Sequence, residues 1–482
     1  MKFWCSHAWI AGSWQAQVLL ECDAAGFWRR IEIGVPPEQA PDASRLGPTL
    51  PGLVNAHSHA FQRAMAGLGE RIDQQQPGDD FWSWRERMYQ VALRIGPQAM
   101  ETIATWLYTE LLSQGYTHVC EFHYLHHAPG GAHYADPQTM SWALVRAAER
   151  TGIGLTLLPT LYMHSGFDRA PLLPAQLRFA STPDFVLETR RQLLAYAQQH
   201  QRQSVLHAGV AVHSLRAVDT AALLEMALAA QDGPIHIHAA EQQREVQQCL
   251  QHLGQRPVQW LLDHAPLGPT WHLVHATHCD GAEESGLSQC EAGVVLCPST
   301  EANLGDGFGP LTSAFKGEIH WSIGTDSHVG RTWSAELRCL EYGQRLRTQS
   351  RNIAARHASQ ASSATALFEQ ALSGGSRASG LALHGIALGQ RADLQELDTD
   401  DPALLGLPVD SLLDASVFSE PGPRARQVWV AGRRVQTELP PLGASWREVM
   451  SQLWQGAPPA PEPRPRFTPS STDQGTPCQP SN

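Results

Sequence analysis

Short apolar, β-branched runs alternate with longer amphipathic stretches from Leu53 to about Gln349, and this alternation predicts an α/β protein built on a (β/α)8 TIM-type barrel. Two further observations support that class. Polar residues with catalytic chemistry fall at the carboxyl ends of the apolar runs, where such barrels carry their active sites. Both chain ends have a β-rich texture broken by Gly and Pro, which predicts a small flanking β-sandwich domain built from the two ends together. At 482 residues and 52.8 kDa the chain exceeds the size at which one core stops growing, so a large domain with a smaller companion is expected.

In chain order, residues 1–50 read as the first part of the small β domain, with strand-like Trp9-Ile10-Ala11-Gly12-Ser13-Trp14 and Arg30-Ile31-Glu32-Ile33-Gly34. Residues 51–375 read as the barrel. Its strand candidates are Leu53–His59, Thr117–Phe122, Gly154–Leu161, Ser204–His213, Pro234–Ala239, Trp271–Ala276, Gly293–Pro298 and Ile319–Asp326. Amphipathic stretches between most of them include Met100–Ser113, Ser141–Thr151, Phe185–Gln199, Val218–Ala230 and Gln242–Leu253, with Ser334–Gln349 after the last strand and Ala361–Gly374 beyond it. Residues 376–450 return to sheet texture, with a turn into a strand at Gly389–Leu394 and a strand ending in a turn at Gln427–Arg433. Residues 457–482 are Pro-rich and polar, the composition of a disordered tail.

Composition excludes several functions. Apolar content of 42% with 17% charged residues is that of an ordinary globular protein. A net charge of -12 without a basic stripe argues against a nucleic-acid partner. The nine cysteines are odd in number, scattered and without Cys-x-x-Cys spacing, as expected of reduced thiols in a cytoplasmic protein. The start of the chain lacks the regions of a signal peptide, and no apolar run approaches the roughly 20 residues of a membrane span. The expected partner is therefore a small molecule, with surface left over for a homodimer.

The chemistry is organised around His57-Ser58-His59. Residues two apart in a strand point to one side, so both imidazoles converge at the strand's end, where neutral nitrogens can hold one metal ion. With 23 His in 482 residues, chance alone gives about one His-x-His pair per chain. This chain has a second, His236-Ile237-His238, in which His238 lies nearer the strand end and Glu241 follows in the turn as a candidate general base. His275 ends the sixth run and Asp326 the eighth. A lone His such as His236 or His272 is more often a hydrogen-bonded core residue, and a lone Asp is usually a helix cap. As a set they have the composition of a catalytic zinc site, three His and one Asp with a coordination position left open.

Strand-end His-x-His, His-Ala-Ala-Glu, His and Asp in this order resemble the amidohydrolase superfamily, in its deaminase branch with a single metal. The lysine that bridges two metals in other members is not apparent at the end of the fourth strand, Ala211-Val212-His213. Longer runs resemble the formimidoylglutamate deiminases within it: Asn55-Ala56-His57-Ser58-His59-Ala60-Phe61-Gln62-Arg63, Phe81-Trp82-Ser83-Trp84-Arg85, Glu121-Phe122-His123-Tyr124, His213-Ser214-Leu215-Arg216 and His238-Ala239-Ala240-Glu241-Gln242. The resemblance implies a metal-dependent hydrolase barrel that converts N-formimino-L-glutamate to N-formyl-L-glutamate and ammonia in histidine degradation. It implies one divalent metal ion, zinc, on His57, His59, His238 and Asp326; Glu241, His275 and Asp326 as catalytic groups; and Gln62, Arg85, Tyr124, His213 and Arg216 on the substrate.

The residues agree with a substrate carrying two carboxylates, since Arg clasps a carboxylate with two parallel hydrogen bonds. Arg85 and Arg216 are the cations nearest to strand ends. Two other readings use the same residues. A zinc deaminase acting on a purine, pyrimidine or other cyclic amidine would keep the metal set and need an aromatic pocket, which Trp82, Trp84 and Tyr124 could supply. A barrel that had lost catalysis would be expected to lack a ligand or the base, and none is missing.

Overall fold

The computed structural model describes residues 1–70, 80–309, 311–439 and 442–454. The Pro-rich stretch 457–482 lies outside them. Strands β1 (Lys2–Ile10), β2 (Ser13–Cys22), β3 (Trp28–Glu32) and β4 (Ser44–Pro51) belong to the flanking sheet. The barrel strands are β5 (Leu53–Ser58), β6 (Tyr116–His123), β7 (Gly154–Leu161), β8 (Leu206–Ala208), β9 (Val210–Val212), β10 (Ile235–Ala239), β11 (Trp271–His275), β12 (Gly293–Leu296) and β13 (Trp321–Ile323). The chain then returns to the flanking sheet with β14 (Leu394–Leu397), β15 (Ala425–Val430) and β16 (Arg433–Arg434). The flanking sheet runs β16-β15-β14-β4-β1-β2-β3, so the two chain ends do share it.

The barrel is parallel throughout, ordered β13-β12-β11-β10-β9-β7-β6-β5, with β8 paired to β7. Every residue of β6 and of β7 is buried, as in strands of a parallel sheet covered on both faces. The fourth strand is split into β8 and β9 at Gly209, where a side chain would lie 2.2 Å from the Pro234 carbonyl oxygen. A single bridge, Ser58 to Asp326, joins the last strand to the first, and its approach needs Gly324, whose Cβ would sit 2.6 Å from that of His57.

Two local readings change. Trp9–Trp14 is a hairpin rather than one strand: Ile10 pairs with Ser13, while Ala11 and Gly12 take φ of 49° and 79°, a two-residue turn of the twist-matching kind. Phe81–Ala92, for which the sequence suggested no element, is a helix capped by Asp80, whose Oδ1 accepts from the Trp82 and Ser83 N–H groups at 2.9 and 3.1 Å. Its crowded aromatics obscure the 3.6-residue period.

Helix Ser363–Ser379 closes the amino-terminal end of the barrel. Its final carbonyls would be orphans, but Ala378 accepts from His236 Nε2 at 2.9 Å and Ser379 from Thr156 Oγ1 at 2.8 Å. His236 is therefore a hydrogen-bonded core residue. The flanking sheet is tied to the barrel by buried Arg391, which donates to the Ser204 carbonyl at 2.8 Å and to Asp393 Oδ2 at 2.6 Å. Among the described residues no helix is long and apolar enough to cross a membrane, and the described cysteines are unpaired.

Packing of this closing helix yields a prediction. A Cβ on Gly374 would lie 1.7 Å from the Trp321 carbonyl oxygen. Gly374→Ala should cost about 1–3 kcal/mol by overpacking and lower the thermal midpoint by scanning fluorimetry; an unchanged midpoint would refute this close approach.

Candidate active site

His57 and His59 leave the end of β5 toward the barrel axis, and the backbone locks their partner beside them. The Asp326 and Thr325 N–H groups donate to the His57 carbonyl at 3.0 and 3.1 Å, and the His59 N–H donates to the Asp326 carbonyl at 3.2 Å. Asn55 adds a side-chain clamp, with Nδ2 donating to Thr325 Oγ1 at 2.7 Å and Oδ1 accepting from the Thr325 N–H at 3.0 Å. Non-glycine residues with positive φ gather at these strand ends: Ala240 (53°), His275 (69°), Ala276 (50°), Asp326 (46°) and His328 (64°). Such strain persists only where the surroundings over-determine it, and it concentrates at functional sites.

Three imidazole nitrogens meet at one point. His57 Nε2 lies 3.1 Å from His59 Nε2 and 3.1 Å from His238 Nε2, with Asp326 Oδ1 at 3.3 Å from His57 Nε2 and 3.4 Å from His59 Nε2. The tautomers follow from carbonyls, which can only accept. His59 Nδ1 donates to Phe122 O at 2.8 Å and His238 Nδ1 to His213 O at 2.9 Å, leaving both Nε2 lone pairs turned inward. Burial, with the neighbouring imidazoles, holds His57 and His238 well below the usual histidine range, and burial lowers His59, so protons do not fill the gap. Two inward lone pairs and a carboxylate gathered around the His57 nitrogen fit a divalent cation, and nitrogen with oxygen donors suits zinc, iron, cobalt or nickel.

Glu241 and His275 stand on the open side of this cluster. His275 Nε2 is 3.7 Å from Glu241 Oε1 and 3.9 Å from Asp326 Oδ2. Burial raises the Glu241 carboxyl above the usual carboxylate range. Burial opposes a charged His275, yet Glu241, Glu301 and Asp326 around it carry the imidazole up to about 10. Glu301 escaped the sequence reading. It sits in the short helix Pro298–Leu304 after β12, accepts the Cys297 N–H at 2.8 Å, and faces His275 Nδ1 at 3.2 Å. The signal available was its place just past the seventh strand, one of two strand ends, with the third, to which no chemistry had been assigned.

The five residues implied for substrate contact all line one cavity with His59, His238, Glu241, His275 and Asp326. Gln62 Nε2 donates to the Tyr124 hydroxyl at 3.0 Å, and its buried Oε1 has no partner among the described residues. Arg85 comes from the capped helix Phe81–Ala92 and Arg216 from the turn Leu215–Ala217 after β9; each keeps a buried Nε without a hydrogen-bond partner. Phe81, Trp84, Tyr89, Tyr162 and Phe179 complete the wall; of these the sequence suggested only Trp84.

Fold and site together define a barrel whose strand-end histidines and carboxylates could hold a metal ion, and the amidohydrolase family model matches residues 49–435. The chain belongs to the amidohydrolase family and is a hydrolase of carbon–nitrogen bonds other than peptide bonds. It is 44% identical to a formimidoylglutamate deiminase of Pseudomonas aeruginosa over 89% of this chain and 93% of that one. An 8-oxoguanine deaminase of the same species is 28% identical over 65% of this chain and 67% of its own. Among solved structures, an amidohydrolase from Brucella melitensis superposes with a TM-score of 0.86 at 37% identity, covering 94% of this chain and 99% of that one. A zinc-bound adenosine deaminase from Xanthomonas campestris shares the fold at a TM-score of 0.73 and 19% identity, covering 94% and 98%.

The ligand geometry predicts about one divalent metal per chain by elemental analysis. Dialysis against a chelator should lower the thermal midpoint, since a cation that binds only the folded state stabilises it. Asp326→Ala should lose most of the metal; full retention in that variant would show that the carboxylate is no ligand.

Proposed function

We propose that the protein is a zinc-dependent N-formimino-L-glutamate iminohydrolase, releasing N-formyl-L-glutamate and ammonia as a step of histidine degradation in the cytoplasm. The observation that carries this reading is the pair Arg85 and Arg216, which line the same cavity as the ligand cluster and are free of ion pairs among the described residues. Unpaired guanidinium groups in a cavity are suited to a substrate's own carboxylates. The name of the Pseudomonas aeruginosa relative agrees with it.

In this reading His57, His59, His238 and Asp326 hold the metal. A divalent ion there would act as a Lewis acid and make water nucleophilic at neutral pH. Glu241, its carboxyl raised by burial, takes one proton of the attacking water as the oxygen bonds to the formimino carbon. His275, charged and oriented by Glu301, donates toward the negative charge growing on that oxygen. The amidine enters protonated, so the tetrahedral carbon carries an –NH2 group; Glu241 gives its proton to that nitrogen, the new hydroxyl gives up its proton to Asp326 as the carbon–nitrogen bond breaks, and ammonia leaves. Arg85 and Arg216 hold the carboxylates while Gln62 and Tyr124 fix the amidine end.

A second reading, a deaminase of a purine, pyrimidine or other cyclic amidine, is favoured by the aromatic wall of Phe81, Trp84, Tyr89, Tyr124 and Tyr162. Ammonia release by metal-loaded protein, with N-formimino-L-glutamate offered beside guanine, cytosine and adenosine and the product identified by NMR, separates the two. Formylglutamate without reaction on the bases is expected, and turnover of a base alone would overturn the arginine argument.

Two substitutions test the roles. Glu241→Gln should reduce kcat by about 10²–10⁴-fold while bound metal stays near the wild-type level, and loss of the metal would assign Glu241 elsewhere. Glu301→Gln should cost about 10–100-fold in turnover by releasing His275 from its orientation; wild-type rates would show that the contact does nothing for catalysis.

A further inference from the structure

The mechanism leaves unused the Trp82 side chain on the helix Phe81–Ala92. Its indole is the meeting point of three guanidinium groups. Arg85 Cζ lies 4.4 Å from the ring centroid, Arg244 Cζ 4.6 Å and Arg216 Cζ 5.6 Å, all within cation–π range. The three come from separate elements: the same helix, the first turn of helix Gln243–Leu253, and the turn after β9.

Three like charges around one ring repel one another, and among the described residues none of the three is in an ion pair. Arg216 is buried, Arg85 half-buried and Arg244 exposed, so the group runs from the cavity wall to the rim. Burial and the nearness of Arg216 both disfavour charge on Arg85. A carboxylate among them would relieve the repulsion and cancel the charge a ligand needs. An indole face attracts each cation through its quadrupole and neutralises none.

We propose that Trp82 is a positioning residue that holds Arg85, Arg216 and Arg244 as one receptor for a dicarboxylate, with exposed Arg244 as the member that meets the dianion first. The inference deepens the deiminase reading and rests on its substrate class.

The test compares wild type, Trp82→Ala, Trp82→Phe and Arg244→Ala, all metal-loaded, on N-formimino-L-glutamate and on the formimino derivative of 4-aminobutyrate, which lacks one carboxylate. Trp82→Ala should raise KM for the dicarboxylate about tenfold with kcat within about threefold, and lose the preference over the monocarboxylate. Trp82→Phe should restore most of that preference. Arg244→Ala should flatten the salt dependence of kcat/KM. A Trp82→Ala enzyme that keeps the wild-type preference, or an Arg244→Ala enzyme with an unchanged salt slope, would overturn the proposal. Calorimetric binding of glutarate to the same proteins needs no turnover. A wild type that is silent on N-formimino-L-glutamate yet binds glutarate through Trp82 would remove the deiminase reading and keep the receptor.

Discussion

The structure turns on a repulsion. Three imidazole nitrogens and one carboxylate are pressed within 3.4 Å of their neighbours at the open end of a barrel, with burial disfavouring charged imidazoles. Nothing within the cluster can relieve this, so the surrounding fold must hold it. The Phe122 and His213 carbonyls fix two tautomers, the His57 carbonyl grips the loop bearing Asp326, and among the described residues the one bridge closing the barrel falls at Asp326 itself. The last strand reaches the first there because Gly324 has no side chain to meet His57. Barrel closure and ligand assembly are thus one event, and a cation that satisfies the cluster would also brace the weakest seam of the barrel.

The same strand shows how position divides chemistry between identical residues. His236 and His238 both project from β10 on the interior side, two residues apart. The first lies near the closed end and spends its Nε2 on a helix-terminal carbonyl; the second reaches the open end and turns its Nε2 to the cluster. Residue type alone does not separate a structural histidine from a candidate ligand, and its distance along the strand does.

That is also why so much of the protein is legible in its sequence. Short β-rich runs that end on His or Asp encode both the barrel and where its chemistry faces, while the choice of His57, His59, His238 and Asp326 among the strand-end residues rests on the family resemblance. What sequence does not encode is contact between elements that are distant in the chain and lack a periodic signature. Glu301 matters through a 3.2 Å approach to His275, set by the packing of β11 beside β12. The helix Phe81–Ala92 hides its period under clustered aromatics, so the meeting of Arg85 with Arg216 and Arg244 over Trp82 is visible only once the helix is folded over the barrel mouth. Ala11-Gly12 shows the converse error, a turn read as strand because its flanking Trp and Ile are strong β formers.

Electrostatics explains why the aromatic ring belongs among the arginines. The chain carries a net charge of -12, which would repel the proposed dianionic substrate at long range and is screened over about 8 Å at physiological salt. Within that distance the local charges decide, and the cavity's inner end is itself acidic, with Glu241, Glu301, Asp306 and Asp326 around His275. A dicarboxylate can therefore be held only if cations are kept at the outer end, separate from the carboxylates that activate water. Had Arg216 folded onto Glu241 or Glu245, both of which it feels, binding and general-base functions would quench each other. Seating the guanidinium groups on an uncharged indole keeps the two halves of the site apart, positive where the proposed substrate would be gripped and negative where water would be activated.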